Sequence, residues 1–449
     1  MARLFGTDGV RGVANRELTP ELAMDIGRAA VTALTGDTSK RAKILIGKDT
    51  RVSSDMLESA LAAGICSAGA DVLMLGFIPT PAVAYLVAEY GADAGAVISA
   101  SHNPMEFNGI KFFDSAGYKL PDETEDEIER LIGEKEKTER KTGSEIGQIS
   151  FANSASDDYV SHLVESIGKG LEGIRVAVDC ANGAAFLTAQ KLFLRLGADA
   201  VFTATEPDGR NINDSVGSTH LESLKALMET SGAKVGVAFD GDADRCLAMD
   251  ENGDEIDGDM LIGIIAKYLK ASGKLAGNTV VVTVMTNLGF EEFCRKNQIN
   301  AVRTAVGDRY VLEEMRRQGF SLGGEQSGHV ILSEYSTTGD GQLTAAMFLR
   351  VLKESGKNAS ELASEMPQFP QTLKQVSADA GQKETYAKDP EIAAYIKKQQ
   401  EALGTSGRIL VRPSGTEPII RVLVEGADKT EIDEITDALC AFISDRLNK

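Results

Sequence analysis

The chain has 449 residues, a length at which a single hydrophobic core stops growing, so three or four domains are expected. Its hydrophobic content of 43% and charged content of 25% are ordinary for folded proteins and exclude wholesale disorder. The net charge of −20 argues against a nucleic-acid or anionic-membrane partner, because such surfaces are bound through clustered lysines and arginines. An anionic small molecule would therefore need a local basic site.

Compartment and redox state are also predicted. No stretch approaches the roughly 18 charge-free apolar residues of a membrane span, and the first residues lack the apolar core of a secretory signal. We therefore expect a cytoplasmic protein. The five cysteines are widely separated and show no C-x-x-C spacing, which indicates neither a disulfide framework nor a zinc site.

A strand, a helix and a second strand recur three times in chain order. The first strands cover residues 42–47, 174–178 and 279–284, and the second strands cover 69–75, 197–202 and 299–302. Short, continuous apolar strands alternating with helices are typical of sheets covered on both faces. The pattern predicts three similar layered βαβ domains, with a small α+β domain after them. The predicted boundaries are 1–152, 153–255, 256–367 and 368–449.

The first two polar segments in chain order are glycine-rich or serine-rich. Residues 6–12 present Arg11 between glycines, although a structural turn explains them nearly as well. Ser99 to Pro104 read Ser-Ala-Ser-His-Asn-Pro and follow a buried-looking strand at 95–98. A serine hydroxyl at a strand end is a candidate nucleophile if a base or a metal activates it.

The neighbours of Ser101 support that interpretation only in part. His102 is adjacent in sequence, but the members of a hydrolase triad meet through the fold, and no Gly-x-Ser-x-Gly elbow surrounds the serine. Lys111 lies on the next predicted strand, near enough to reach the same loop. It could transfer a proton if its pKa were depressed, and the alternative is a solvated charge at a strand end.

An acidic loop follows the last strand of the second repeat. Asp240, Asp242 and Asp244 alternate along the chain, and Gly241 allows a tight turn, so several carboxylate oxygens can face one hard cation. Magnesium is the predicted ion, and an acidic surface turn or a calcium loop is the alternative. Arg245 comes next and either contacts a phosphoryl group or pairs with an aspartate.

Two further loops carry polar side chains suited to a sugar phosphate. Residues 324–329 combine a carboxylate, an amide, a hydroxyl and an imidazole, a set suited to carbohydrate hydroxyls or simply to a hydrogen-bonded turn. Residues 412–418 and the following Arg421 offer guanidinium groups, hydroxyls and backbone amides to a phosphate, and an ordinary hairpin loop is the alternative. Because ligands bind beyond the carboxyl ends of strands, the loops that end the three repeats should share one cleft.

These five segments, in this order along the whole chain, closely resemble those of the α-D-phosphohexomutase superfamily. The resemblance implies that Ser101 is a phosphoserine, that Asp240, Asp242 and Asp244 hold Mg²⁺ with a phosphoserine oxygen, and that Lys111 transfers protons. We add His102 and Arg11 to the catalytic set. The substrate-binding set comprises Glu325 and Ser327 at the sugar hydroxyls, Arg412, Ser414, Thr416 and Arg421 at the non-reacting phosphate, and also His329, Gly415 and Arg245.

The resemblance also implies an activity. Members of the superfamily move a phosphoryl group between two positions of a hexose through a hexose 1,6-bisphosphate, which is both intermediate and activator. The motifs look most like those of bacterial members acting on glucosamine phosphates. The alternatives are glucose or mannose phosphates as substrates, a phosphatase that transfers to water, and a non-catalytic sugar-phosphate sensor. The expected partner is a small-molecule sugar phosphate, and a homodimer is left open.

Overall fold

The computed structural model describes residues 3–6, 8–35, 41–134, 138, 140–404, 407–414 and 418–448. It divides into two compact units. One comprises Met1–Met285 with Gln298–Glu365, and the other comprises Thr286–Asn297 with Met366–Lys449. Among the described residues, no helix is both long enough and apolar enough to cross a membrane.

The larger unit begins with a six-stranded mixed sheet. Its elements are β1 (Val10–Val13), α1 (Pro20–Thr35), β2 (Lys43–Lys48), α2 (Val52–Ser67), β3 (Asp71–Phe77), α3 (Thr80–Glu89), β4 (Ala94–Ile98), β5 (Phe107–Asp114), α4 (Asp122–Gly133) and β6 (Ile149–Phe151). The strand order is β1-β5-β4-β2-β3-β6. Strand β5 is antiparallel to both of its neighbours, and the pairs from β4 to β6 are parallel.

A second sheet follows in the same unit. Its elements are α5 (Ala155–Ile167), β7 (Arg175–Asp179), α6 (Ala185–Leu196), β8 (Asp199–Thr203), α7 (Glu222–Ser231), β9 (Val235–Phe239), β10 (Cys246–Met249) and β11 (Glu255–Ile256). The strand order is β11-β10-β9-β7-β8. The pairs of β7 with β8 and β9 are parallel, whereas β10 is antiparallel to β9.

The third sheet completes this unit with the order β13-β12-β14-β15. Its region contains α8 (Gly258–Ala271), β12 (Thr279–Thr283), α9 (Leu288–Asn297), β13 (Asn300–Thr304), α10 (Asp308–Gln318), β14 (Leu322–Gly324), β15 (Val330–Leu332), α11 (Gly341–Ser355) and α12 (Ala359–Ala363). Helix α9 belongs to the smaller unit. The backbone N–H of Leu288 donates to Oε1 of Glu425 at 2.7 Å in that unit.

The repeated βαβ pattern is confirmed, and the structure adds a feature to it. In each sheet of the larger unit, the strand that carries a predicted functional loop turns back into an antiparallel partner, giving the hairpins β4–β5, β9–β10 and β14–β15. The serine, aspartate and 324–329 loops are the turns of these hairpins. Each loop is therefore fixed to its sheet at both ends.

Continuous apolar strands form the interior of these layers. Every residue of β4 and β9 is buried, as the sequence pattern predicted. Helices α1 and α2 pack in close contact, since a Cβ at Gly64 would lie 2.1 Å from the carbonyl oxygen of Met24. Each isoleucine or leucine buried in this way stabilises the fold by about 1.5–3 kcal/mol.

The smaller unit contains an antiparallel sheet with the order β16-β18-β17. Its remaining elements are β16 (Gln371–Ser377), α13 (Ala380–Lys388), α14 (Pro390–Leu403), β17 (Gly407–Pro413), β18 (Ile419–Gly426) and α15 (Lys429–Leu447). The predicted α+β character is confirmed. Helix α13 was not predicted, because it buries none of its residues and shows no apolar periodicity.

Candidate active site

Ser101 lies at the turn of the first hairpin in a strained conformation. Its backbone φ is 54°, in the left-handed region, and the residue is 1% exposed. A non-glycine residue there costs about 1–2 kcal/mol, so surrounding contacts must hold it. The Ser101 hydroxyl donates a 2.6 Å hydrogen bond to Oδ2 of Asp240 in the second hairpin. The serine and aspartate loops therefore meet directly.

A fully buried ion pair anchors the serine loop. Nε of Arg51 lies 2.8 Å from Oδ2 of Asp49, and neither side chain is exposed. The guanidinium also donates to three carbonyl oxygens of the loop, those of Ser101, Asn103 and Pro104. The same Asp49 oxygen accepts from the Ser99 hydroxyl at 2.6 Å. Since every one of these donors is charged or fully buried, the loop is held rigidly.

The three aspartates of the second hairpin form a compact, buried cluster. One carboxylate oxygen from each of Asp240, Asp242 and Asp244 lies within 4.8 Å of the others. These residues are 1%, 1% and 4% exposed, so the alternative of an acidic surface turn is wrong. A Cβ at Gly241 would lie 2.6 Å from the carbonyl oxygen of Ser101, so only glycine allows this approach of the two loops.

The electrostatics of the cluster fit a hard divalent cation. Burial, together with the charges of Asp244 and Asp242, raises the pKa of Asp240 well above its ordinary value. Oδ1 of Asp242 and Oδ1 of Asp244 are buried, and among the described residues neither has a hydrogen-bond partner. Oxygen ligands that are charged, close together and unsatisfied match the preference of Mg²⁺. The residues therefore could hold such a metal ion.

Lys111 projects from β5 into this cluster. Its Nζ lies 3.0 Å from Oδ2 of Asp242 and 3.0 Å from Oδ2 of Asp8, and its side chain is 2% exposed. The alternative of a solvated strand-end charge is therefore wrong. Burial alone would lower the pKa of Lys111, but the neighbouring carboxylates outweigh it and raise that pKa. The carboxylates therefore hold Lys111 as an ammonium group, whereas the depressed pKa expected of a proton-transfer group is not found.

His102 lies beside the serine but is oriented by Arg245. Its Nδ1 lies 3.5 Å from Oγ of Ser101, too far for a strong hydrogen bond, and it accepts from Nη1 of Arg245 at 3.3 Å. Burial and the charges of Arg245 and Arg11 lower the pKa of His102 to about 4. His102 is therefore neutral near pH 7, with its Nδ1 occupied by an arginine.

The N-terminal segment lies along the edge of the same site. Arg11 in β1 pairs with Gly109 in β5, where a Cβ would lie 3.0 Å from Cγ of Arg11 and 2.6 Å from the carbonyl oxygen of Ser99. The Arg11 guanidinium donates to Oδ2 of Asp8, the same oxygen that faces Lys111. Arg11 is therefore brought close to the serine and aspartate loops.

The 324–329 loop forms a hydrogen-bonded turn, and it also leaves polar side chains accessible to solvent. The backbone N–H of Gly328 donates to the carbonyl oxygen of Glu325 at 3.0 Å, and Gly328 has a φ of 91°. A Cβ there would lie 2.3 Å from the carbonyl oxygen of Cys246, so the turn packs directly on the start of β10. Ser327 is exposed, and Glu325 is half-buried.

His329 is turned inward. It is 2% exposed, its Nε2 accepts from the backbone N–H of Gly339 at 3.1 Å, and its Nδ1 lies 3.7 Å from Oδ2 of Asp244. Burial alone would raise the pKa of Asp244, but Lys111, His329 and Arg245 outweigh it and lower that pKa. The imidazole therefore contacts the aspartate cluster and not the exposed face of its loop.

Two arginines face each other in the smaller unit. Arg412 in β17 and Arg421 in β18 are cross-strand partners. Their register places two guanidinium-bearing residues side by side on neighbouring strands of the sheet. Ser414 is buried, and its carbonyl oxygen accepts from Nζ of Lys383 at 2.7 Å. The predicted residues Gly415 and Thr416 lie outside the described residues.

Sequence reasoning missed several residues that build the site. Arg51 follows β2 at the same sheet edge as the serine loop, so the rule about carboxyl ends of strands could have found it. Thr80 donates to Oδ2 of Asp242 at 2.6 Å, and Asn213 donates to the carbonyl oxygen of Ser101 at 2.9 Å. No local pattern marked these two residues, because their contacts span more than a hundred positions.

Comparison with known proteins agrees with this architecture. Family models described as phosphoglucomutase/phosphomannomutase match four segments: α/β/α domain I at residues 2–139, domain II at 157–253, domain III at 257–369 and the C-terminal domain at 373–442. Proteins named phosphoglucosamine mutase from Acetivibrio thermocellus and Clostridium beijerinckii are 53% and 52% identical, each with 100% of both chains covered.

Solved structures share the fold. A phosphoglucomutase/phosphomannomutase family protein from Burkholderia thailandensis has a TM-score of 0.82 at 24% identity, covering 99% of this chain and 97% of that one. An N-acetylphosphoglucosamine mutase from Aspergillus fumigatus, solved with GlcNAc-6P and magnesium, has a TM-score of 0.70 at 18% identity, covering 99% and 96%. The predicted resemblance is confirmed: this chain belongs to the phosphoglucomutase/phosphomannomutase family.

Proposed function

We propose that this chain is an isomerase that interconverts glucosamine 6-phosphate and glucosamine 1-phosphate, the reaction of a phosphoglucosamine mutase. The observation that carries the proposal is the 2.6 Å hydrogen bond from Oγ of Ser101 to Asp240 within a buried cluster of three carboxylates. The name of the relatives that are 52–53% identical over the full chain supports the choice of sugar. The product would feed synthesis of UDP-N-acetylglucosamine and cell-wall precursors in the cytoplasm.

Ser101 carries the phosphoryl group in this proposal. A sugar hydroxyl attacks the phosphorus and releases its proton, the bond from phosphorus to Oγ breaks, and a hexose 1,6-bisphosphate forms. Lys111 passes its proton to Oγ and is reprotonated by the proton that the attacking hydroxyl releases. After the intermediate turns over in the site, Oγ attacks the other phosphate and the second sugar phosphate leaves. Phosphoryl transfer of this kind depends mainly on positioning and on neutralising charge.

The residues around Ser101 have separate roles. The carboxylates of Asp240, Asp242 and Asp244, with a phosphoserine oxygen, would hold Mg²⁺, which when bound neutralises charge on the transferring group. Lys111, held as an ammonium group, supplies a proton to Oγ when its bond to phosphorus breaks. Arg245 and Arg11 attract the phosphoryl oxygens, and neutral His102 fixes the direction of the Arg245 side chain.

The substrate is held by two further groups of residues. The Glu325 carboxylate accepts hydrogen bonds from the sugar hydroxyls, and the Ser327 hydroxyl donates a hydrogen bond to them. His329 contributes by holding Asp244. Arg412 and Arg421 bind the non-reacting phosphate with the Ser414 segment and with Gly415 and Thr416. Arginine suits this task because its planar donors bind phosphate bidentately.

Intact-mass measurement tests the covalent step. The purified chain is incubated with glucose 1,6-bisphosphate and Mg²⁺, and a gain of one phosphoryl group that maps to Ser101 is expected. Ser101→Ala should gain none and should lose the mutase activity. A wild-type chain that interconverts the sugar phosphates without ever carrying phosphate on Ser101 would refute the phosphoserine mechanism.

Side-by-side assays separate the alternatives. Glucosamine, glucose and mannose phosphates are compared at equal concentration, and the highest kcat/KM is expected for glucosamine phosphate. Release of inorganic phosphate in proportion to substrate loss would indicate a phosphatase instead. If the Ser101→Ala variant bound the sugar phosphate and behaved like the wild type, a non-catalytic sensor would be indicated.

A further inference from the structure

A chain of ion pairs extends from Lys111 away from the aspartate cluster. Oδ2 of Asp8 lies 3.0 Å from Nζ of Lys111, and Oδ1 of Asp8 lies 2.7 Å from Nζ of Lys119. Nζ of Lys119 also donates to Oδ2 of Asp308. Asp8, Lys119 and Asp308 have no role in the mechanism described above. They nevertheless connect Lys111 of the first hairpin to Asp308, which is distant in sequence.

Rigid backbone presents each member of this chain of ion pairs. Lys119 pairs with Phe113 in an antiparallel bridge that continues from β5. Gly117 in the intervening turn has a φ of 80°, and a Cβ there would lie 2.2 Å from the carbonyl oxygen of Ala84. Asp308 is the first residue of α10. The first sheet thus holds the ammonium group of Lys119 beside the N-terminal residue of α10, and α10 packs on the third sheet.

Lys119 and its partners are mostly withdrawn from solvent. The side chains of Lys119, Asp308 and Asp8 are 12%, 16% and 25% exposed. Solvent-exposed ion pairs contribute little, whereas loss of one partner from a buried pair leaves an uncompensated charge. Removal of Lys119 would therefore take one ammonium partner from each of two carboxylates. Oδ2 of Asp308 would still lie 3.5 Å from Nε2 of His329, and Asp8 would keep Lys111 and Arg11 as its partners. Asp8 could then turn wholly toward Arg11 and Lys111.

We propose that Lys119 is a positioning residue of the mutase reaction: it clamps Asp8 between itself and Lys111, and so fixes the Lys111 ammonium group beside Asp242. This proposal rests on the proposed function. Its consequence is geometric, since misplacement of a reacting group by about 1 Å can cost about a hundredfold in rate. Within the part of the chain that the structure describes, the ion pairs of Lys119 are with Asp8 and Asp308 and with none of the three cluster aspartates.

The test compares Lys119→Met with Lys119→Arg. Since misplacement of a reacting group by about 1 Å can cost about a hundredfold in rate, kcat of Lys119→Met should fall by up to about 100-fold while KM stays within about twofold. Lys119→Arg keeps the charge and should recover most of kcat. Lys274→Met is the matched control, because it removes the exposed pair with Glu334 and should leave kcat unchanged.

A double-mutant cycle measures the coupling between Lys119 and Asp8. Asp8→Asn lowers kcat by the same route, so Lys119→Met added to it should have little further effect. Additive losses in kcat, a raised KM with unchanged kcat, or wild-type kinetics in Lys119→Met would each overturn the positioning role. The intact-mass experiment on the wild-type chain is decided separately, so failure of the phosphoserine mechanism is distinguishable from failure of this inference.

Discussion

Gly241 lies so close to Ser101 that a side chain at position 241 would push the two loops apart. The added Cβ would sit 2.6 Å from the carbonyl oxygen of Ser101 and 2.9 Å from Nδ2 of Asn213. Both atoms belong to contacts that shape the serine loop. The distance between Ser101 and the carboxylate cluster therefore depends on the absence of a side chain at position 241.

Gly241→Ala should lower kcat by about a hundredfold, because misplacement of about 1 Å has that effect on positioned groups. Steady-state kinetics measure it. Gly133→Ala, at the end of α4 with no atom within 4 Å of the added Cβ, is the matched control and should retain full activity. Equal activity of the two variants would contradict the close contact.

Asp240→Asn should stabilise the metal-free protein and abolish its response to Mg²⁺. Three buried carboxylates repel one another, so the loss of one charge relieves this repulsion. In the wild type, Mg²⁺ at about 100 times its Kd should add about 2.7 kcal/mol. Thermal unfolding with EDTA and with Mg²⁺ measures both effects. A wild-type Tm that does not respond to Mg²⁺ would argue against the metal site.

Arg51→Met should destabilise the protein strongly, because it leaves the Asp49 carboxylate buried and unpaired. Removal of one partner of a buried pair costs about 3–5 kcal/mol, and three loop carbonyls also lose their donor. Chemical denaturation measures the loss. The double variant Asp49→Asn, Arg51→Met should lose less than the sum of the two single variants, and strict additivity would contradict the coupling.

Asp340 should make stability depend on pH. Burial, more than any other influence, raises the pKa of Asp340 from 3.8 to about 6, despite hydrogen bonds from Leu343 and Tyr159. Between these two pH values the folded state binds more protons than the unfolded state. The free energy of unfolding therefore rises as the pH falls from 6 to 4, and the ionised Asp340 carboxylate lowers it above pH 6.

Asp340→Asn tests this sign directly. The amide cannot ionise, so the stability of the variant relative to wild type should be greatest above pH 6 and should decline by up to about 3 kcal/mol toward pH 4, the free-energy equivalent of the pKa difference. Denaturation curves at pH 7.5 and pH 4.5 measure it. A difference that is constant with pH would show that the carboxyl group titrates normally.

The fold could be predicted well because its signals are local. Continuous apolar strands such as β4 and β9 and the turn residues after them appear within about ten positions. The return strand β5 was predicted as the strand that carries Lys111. The short return strands β10 and β15 and helix α13 were missed, since none of them has a strong apolar period of its own. Helix α9 looked like part of the third repeat, and only its contacts with the smaller unit distinguish it.

The serine and aspartate loops of the candidate site could be found from the sequence, whereas the residues that support these loops could not. Ser101 and the three aspartates lie in short motifs whose residue types indicate a candidate nucleophile and a candidate metal site. Thr80, Asn213 and Lys119 act through partners more than a hundred residues away, so the residues next to them carry no signal. Lys111 illustrates the same limit, because its raised pKa depends on carboxylates from two distant segments.

The spread of these partners along the chain has a consequence for biosynthesis. Lys119 reaches its second carboxylate at Asp308, and the imidazole against Asp244 is contributed by residue 329. A nascent polypeptide released before these positions would contain the acidic cluster but lack two of the groups that surround it. Premature termination there should therefore yield an inert fragment, and not a slower enzyme.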